Sequence, residues 1–353
     1  MSSEFNIIQN CFVGLCRELP AGDLGIGDDA AVLSVPVEHQ VVVATDTLVQ
    51  GIHFPEKTPA QQVAWKALAV NLSDLAAMGA KPWCYSLSLS VPKSLAKQQW
   101  FADFSKGLAD LCAHLNLKIP LVGGDTTSAK EGALSVTISA QGLVKQGKAV
   151  YRRGACVNDW IVVTGNLGEG ALGLQVDLDK PEVCSMPKAL KLHALKALNT
   201  PVPQTAVGQM LSGIVNSAID ISDGLLQDLT HILRQSSFGN HSVAISAENQ
   251  MQKGLGAKIN LQEVPVSEGM KAYFSQTKDW GLALSGGDDY QLCLTVSETN
   301  WQALQELAKA LNVKVTRIGK IINRPVIELV GQNKTESLDW QNAENLTFGF
   351  QHF

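Results

Sequence analysis

The chain has 353 residues, 45% of them hydrophobic and 17% charged, with a formal net charge of −5. This balance describes a folded chain long enough for two domains and excludes a disordered one. Net acidity without a Lys/Arg stripe excludes nucleic acid as a partner, and no apolar run approaches the roughly 20 residues that cross a bilayer.

The seven cysteines are odd in number and contain no Cys-x-x-Cys, so neither a zinc spacing nor a disulfide framework can be read from them. The first residues carry Glu4 and no basic residue before Arg17, which does not read as a secretory signal. A reducing cytoplasm is the expected compartment.

Residues 4–19 read as a helix stopped by Pro20. A turn with the adjacent carboxylates Asp28 and Asp29 follows, and then a β-branched strand, Val41 to Val49. Gly51 to Phe54 is a turn containing His53. Gln61 to Gly79 has apolar residues at helical spacing, with Asn71 and Asp74 three apart on one face. Cys84 to Val91 alternates as a strand, and Ser94 to Leu115 is a second amphipathic helix. Ile119 to Val122 reads as a short buried strand delivering Gly123-Gly124-Asp125-Thr126-Thr127 at its end, and Leu134 to Val144 as another alternating strand.

The texture changes near residues 148–156, where a domain boundary is expected. Beyond it, helices are expected near Glu169–Val176, Pro187–Leu198, Thr205–Ser212, Gly224–Gln235 and Thr299–Leu311. Strands are expected near Ile161–Thr164, Val243–Ser246, Gly281–Leu284, Tyr290–Val296, Lys314–Ile322 and Val326–Val330. Without strict βαβα order, this pattern predicts two α+β or mixed-sheet domains.

Aspartates recur at the edges of apolar runs, most of them adjoining Gly, Ser or Thr: Asp28, Asp29, Asp46, Asp74, Asp125, Asp220, Asp223, Asp288 and Asp289. Two like charges about 4 Å apart cost roughly 4 kcal/mol in a protein-like dielectric, unless water or a cation intervenes. Carboxylates with hydroxyls and backbone oxygens, and no His or Cys, suit Mg²⁺, and several such sites suit a nucleotide's phosphates. Gly168-Glu169-Gly170-Ala171-Leu172-Gly173 matches G-x-G-x-x-G, but no acidic residue ends a second strand about 20 positions on, which argues against a dinucleotide site. No Walker A loop, G-x-S-x-G elbow or H-E-x-x-H motif occurs. The residues alone point to a Mg²⁺-dependent, nucleotide-using enzyme without a P-loop.

Seven motifs in order carry a resemblance: Gly27-Asp28-Asp29-Ala30-Ala31, Thr45-Asp46-Thr47-Leu48-Val49, Gly51-Ile52-His53-Phe54, Asn71 through Ala80, Gly123 through Thr127, Ile221-Ser222-Asp223-Gly224 and Ser285 through Tyr290. The set resembles the thiamine-monophosphate kinase family. The resemblance implies the aminoimidazole ribonucleotide synthetase-like fold. Residues 1–150 would form an ATP- and Mg²⁺-binding sheet domain that dimerises, and residues 151–353 a C-terminal α/β domain completing the nucleotide and substrate sites. It implies transfer of a phosphoryl group from ATP to thiamine monophosphate, the closing step of thiamine diphosphate synthesis, in a cytoplasmic homodimer.

Residue by residue, the resemblance puts Mg²⁺ on Asp29, Thr45, Asp46, Asp74, Asp125, Asp220 and Asp223, with the backbone of Ala44. It puts ATP on Gly124, Asp125, Arg152 and Ser222, and the substrate on His53, Asp288 and Phe350. K⁺ is left open as a further cofactor. Asp288 stands where Glu is commoner, Gln291 where Glu is usual, and Gln351 where Asp is frequent. No general base is expected, because a phosphate acceptor with a second pKa near 6 is already mostly ionised at pH 7. The rivals are a purine-biosynthetic synthetase of the same superfamily and a catalytically silent nucleotide-binding protein.

Overall fold

The computed structural model describes residues 4–16, 19–129, 132, 134–238, 254–331 and 335–340. The strand expected over 243–246 and Phe350 lie outside them. The chain divides into two compact units. One comprises Met1–Leu75, Ala80–Gly147 and Asn199–Thr205; the other comprises Ala76–Gly79, Lys148–Leu198 and Ala206–Phe353.

In the first unit the helix expected over 4–19 is broken into α1 (Glu4–Ile7), a π-helical turn (Ile8–Phe12) and a 3-10 turn (Val13–Leu15). The sheet is built by β1 (His39–Val49), β2 (Lys81–Pro92), β3 (Leu121–Ala129) and β4 (Ser135–Lys145), in the order β1-β4-β2-β3. Only β2 and β3 are parallel. Alternation in β4 buries Val136, Ile138, Ala140 and Val144. Register then puts hydroxyls in rows on the opposite face: Thr45–Ser139–Ser86 and Thr47–Thr137–Ser88–Asp125. Two of these pairs are hydrogen-bonded, Thr45 Oγ1 to Ser139 Oγ at 2.9 Å and Thr47 Oγ1 with Thr137 Oγ1 at 2.8 Å.

The segment Gly123–Thr127 lies within β3 and not beyond its end, as the sequence had suggested. The strand continues along β2, because Gly124 lets it approach closely; a Cβ there would lie 1.8 Å from the Leu87 carbonyl oxygen. Helix α2 (Ala60–Ala77) is buried on nearly every side. Helix α3 (Gln98–His114) buries one stripe, Phe101, Phe104, Leu108 and Leu111. Gly107 lets the two helices meet, since a Cβ would lie 2.1 Å from the Gln61 carbonyl oxygen.

The second unit holds a mixed sheet of β5 (Trp160–Thr164), β6 (Ser217–Ile221), β7 (Gly256–Asn260), β8 (Gln291–Val296), β9 (Val315–Ile322), β10 (Ile327–Val330) and β11 (Thr335–Leu338). Its order is β11-β10-β7-β9-β5-β8-β6. Both faces are covered, so the central strands are apolar on both sides. Ile161, Val163, Ile219 and Ile221 enter one core with Leu172 of α4 (Glu169–Asp177) and Leu229 of α7 (Leu225–Phe238). Val162, Ala218 and Leu294 enter the other, with Leu304 of α10 (Trp301–Ala310). Between them in sequence come α5 (Lys188–Asn199), α6 (Thr205–Gly208), α8 (Glu268–Thr277) and α9 (Gly281–Leu284).

The strand expected at Gly281–Leu284 is the helical turn α9. Asp279 Oδ1 accepts from the Gly281 amide at 2.8 Å, and Ser285 closes the turn by donating to the Gly281 carbonyl at 2.8 Å. The neighbouring Ala283 and Leu284 are both buried. Trp340, unassigned from sequence, is a core residue, 1% exposed, whose indole donates to the Leu255 carbonyl at 3.1 Å.

Candidate active site

In the first unit an open cleft of about 1050 Å³ is lined by Gly25–Ala31, by Ser86 and Leu87 of β2, by residues 121–126 of β3, and by Phe12 and its neighbours. Reciprocal hydrogen bonds between Leu24 and Val32, 2.7 and 2.8 Å, close the base of the Gly25–Ala31 loop. Gly25 is packed against Cys16, while Asp28 and Asp29 are exposed on the cleft wall. The Asp28 carboxylate accepts from the Asp29 amide at 2.8 Å. Thus Asp29, Gly124 and Asp125 come together along one cleft. Its described lining offers three carboxylates, the Ser86 and Thr126 hydroxyls and the Asn6 and Gln9 amide oxygens, with no His or Cys. That all-oxygen donor chemistry fits a hard cation such as Mg²⁺.

Asp46 lies in the sheet row of Ile138 and Leu87, opposite in face to the Thr45 hydroxyl, which is engaged with Ser139. Ala44 is buried in β1. Asp74 is half-buried on α2, one turn after Asn71. Asn71 donates to the Ala67 carbonyl at 3.0 Å; its Oδ1 and the Ser73 hydroxyl are buried without a hydrogen-bond partner among the described residues. The polar residues of α2 are therefore enclosed, not a solvated stripe.

The His53 turn is held from two sides. The Val49 amide donates to His53 Nδ1 at 2.9 Å, which puts the neutral ring's proton on Nε2, and Lys66 Nζ donates to the His53 carbonyl at 3.0 Å. Lys66 is 1% exposed. A lysine so deeply buried in an apolar helix carries no distinguishing signal in the sequence.

In the second unit the two glycine-rich motifs are laced together. The Asp288 amide donates to the Ser222 carbonyl and the Tyr290 amide to the Ile221 carbonyl, each at 2.8 Å. Gly287 and Gly224 allow this approach; a Cβ on the former would lie 2.3 Å from the Ser222 oxygen and on the latter 2.7 Å from the Ser285 carbonyl carbon. Asp228 holds the turn from within. Its Oδ2 accepts from the amides of Ser222, Asp223 and Gly224 at 3.0, 3.1 and 3.2 Å. Burial, then the charges of Asp220 and Asp223, push the Asp228 carboxyl well up. Asp220 is buried in β6. The signal for Asp228 was an acidic residue in the first turn after Ser-Asp-Gly, the spacing of a side chain that reaches back to cap its own helix.

Arg152 precedes a segment pinned to α7 by Ser236 Oγ, which accepts from the Gly154 and Ala155 amides, both at 3.1 Å. His231 of α7 is held low, first by burial and then by the charges of Arg152 and Arg234, with Asp223 opposing. Arg152 and Asp223 therefore share this neighbourhood.

Asp289 explains the G-x-G-x-x-G match. Its carboxylate accepts from the amides of Gly168 at 2.7 Å and Gly170 at 3.3 Å, at the start of α4. The chain's own side chain thus occupies the helix N-terminus that a pyrophosphate would need. Gln291 is equally committed: its Oε1 accepts from Thr164 Oγ1 at 2.9 Å. Among the described residues, no three His, Cys, Asp or Glu side chains gather as a metal-holding group. No described helix is long and apolar enough to cross a membrane.

A family model described as AIR synthase related protein, N-terminal domain, matches residues 27–144. The thiamine-monophosphate kinase of Escherichia coli K12 is 38% identical over 352 residues, covering 99% of this chain and 98% of its own. The crystal structure of thiamine-monophosphate kinase from Stenotrophomonas maltophilia K279a matches with a TM-score of 0.79 at 35% identity, over 94% of this chain and 98% of that one. A structure described as AaThiL complexed with AMPPCP and TMP has a TM-score of 0.68 at 24% identity, covering 94% of each chain, a likeness of fold.

Proposed function

The chain belongs to the thiamine-monophosphate kinase family, and from that premise we propose how its residues divide the reaction. It phosphorylates thiamine monophosphate with ATP as co-substrate, giving thiamine diphosphate and ADP. The observation that carries this is 38% identity to a thiamine-monophosphate kinase along 99% of the chain.

Asp29, Asp46, Asp74 and Asp125, with oxygens of Ala44 and Thr45, are the Mg²⁺ ligands proposed from the first unit, and Asp220 and Asp223 those from the second. Mg²⁺ there would neutralise phosphate charge, which is the main obstacle when one polyanion must attack another. Gly124 offers a backbone without a side chain in the way. Asp125, Arg152 and Ser222 are proposed ATP contacts. His53, with its proton on Nε2, and Asp288 are proposed substrate contacts, as is Phe350, which lies outside the described residues. No residue needs to remove a proton, because the acceptor phosphate is already ionised at neutral pH. The residues' task is to align the attacking oxygen with the γ-phosphorus for in-line displacement.

The functional division of residues 1–150 and 151–353 is proposed on the same ground, as is a cytoplasmic location. A homodimer is supported by the first sheet. Its β1 edge carries Val41 and Val43, 39% and 62% exposed, beside a face of small hydroxyl residues, which is surface suited to a second copy.

A mass-resolved product assay with ATP, Mg²⁺ and thiamine monophosphate, with and without K⁺, tests the function. Equal amounts of ADP and thiamine diphosphate are expected. Bound ATP with no diphosphate formed would overturn the substrate.

A further inference from the structure

Asp288 and Tyr290 both adopt left-handed backbone conformations, with φ of 66° and 50°. Such values are unusual for Asp and more so for a bulky aromatic, and they persist only where surrounding contacts enforce them. Here the contacts are plain. Asp289, between the two, is tied to the start of α4, while the amides of Asp288 and Tyr290 are tied to Ser222 and Ile221. Gly170 closes the remaining side, since a Cβ there would lie 2.3 Å from the Asp288 carbonyl oxygen.

These ties produce a directed contact. Tyr290 Oη donates to Asp288 Oδ1 at 2.9 Å. Tyr290 is 7% exposed and Asp288 half-buried. A rigid, buried phenol therefore grips one oxygen of a carboxylate that reaches the surface. We propose that Tyr290 is a positioning residue for substrate: its hydroxyl fixes the orientation in which Asp288 receives thiamine monophosphate. This rests on the reading of Asp288 as a substrate contact. Tyr290 itself touches no reacting atom, so its effect falls on substrate affinity and not on the chemical step.

Tyr290→Phe keeps the ring and removes only the donor. KM for thiamine monophosphate is expected to rise about tenfold, the scale of one hydrogen bond to a charged acceptor. The kcat and the KM for ATP stay within about twofold, and far-UV circular dichroism is unchanged. Asp288→Gly, which suits the left-handed backbone and removes the acceptor, raises the same KM, and adding Tyr290→Phe to it raises KM no further, because the contact is already gone. If Asp288→Gly raises KM while Tyr290→Phe behaves as wild type, or if the two effects multiply, the positioning role is overturned and Asp288 keeps its own. If Asp288→Gly leaves KM for thiamine monophosphate unchanged, the substrate reading of Asp288 fails and the role of Tyr290 falls with it.

Discussion

Asp289 sets two forces against each other, and their balance can be measured. The residue is 7% exposed, and its side-chain oxygens accept two amides at a helix N-terminus. Burial pushes its carboxyl up from 3.8 to about 8, against the pull of the Gly168 and Gly170 amides. Removing a carboxylate from water costs several kcal/mol, whereas a helix N-terminus returns at most about 2 kcal/mol. Desolvation therefore wins, and the folded protein holds a proton on Asp289 at neutral pH.

The sign of the pH dependence follows. Below about pH 4 both folded and unfolded chains are protonated at this site, and the stability it contributes is fully present. From there to about pH 8 only the folded chain keeps the proton, so rising pH opposes folding by about 1.4 kcal/mol per unit. Between pH 5 and 7 the loss comes to about 3 kcal/mol. Asp289→Asn cannot titrate, so its stability relative to wild type should improve by that amount across the same interval. Hydrogen exchange at the buried amides of Leu292 and Leu294 in β8 reads opening of the second unit directly, and comparing the two proteins at each pH cancels the intrinsic exchange rates and the titration of Asp228. Parallel profiles, or a variant that loses ground as pH rises, would refute the reasoning and show that the helix N-terminus holds the charge.

Asp74→Asn should lower turnover at saturating Mg²⁺ by at least about a hundredfold, and far more than it lowers folding stability, as expected of the half-buried carboxylate proposed as a metal ligand. Near-normal turnover would remove Asp74 from the ligand set. Gly124→Ala puts a methyl 1.8 Å from the Leu87 oxygen, so β3 must leave β2; destabilisation above about 3 kcal/mol in urea unfolding is expected, and a neutral effect would contradict the register. Val43→Glu charges the exposed β1 edge and should shift sedimentation from dimer to monomer, whereas an unchanged dimer would place the interface elsewhere.

The alternating strands and the long helices were legible because their periodicity is local. Residues 135–145 alternate cleanly, and α3 shows its stripe at helical spacing. Where periodicity is short or absent, reading failed. Ser217–Ile221 is buried at every position and includes an aspartate, so it did not announce a strand. Gly281–Leu284 is too short for its period to be read, and a side-chain bond from Asp279 decided for helix. The aspartate motifs were visible as recurring words, but their supports were not. Asp228, Lys66 and Tyr290 act on neighbours through turns that only the folded backbone closes.

The two Asp-Asp pairs show why a motif understates its own chemistry. Both follow glycine, and both must relieve repulsion between adjacent carboxylates. Asp28 and Asp29 do so in solvent, both on the wall of an open cleft, where they can still gather a cation. Asp288 and Asp289 divide the problem instead. One turns into the start of α4, where burial favours its neutral form, and the other turns outward onto a tyrosine hydroxyl. The difference lies outside the dipeptide, in the Gly168–Gly170 amides about 120 residues earlier in sequence. The same burial that disfavours ionisation of Asp289 anchors the loop that presents Asp288.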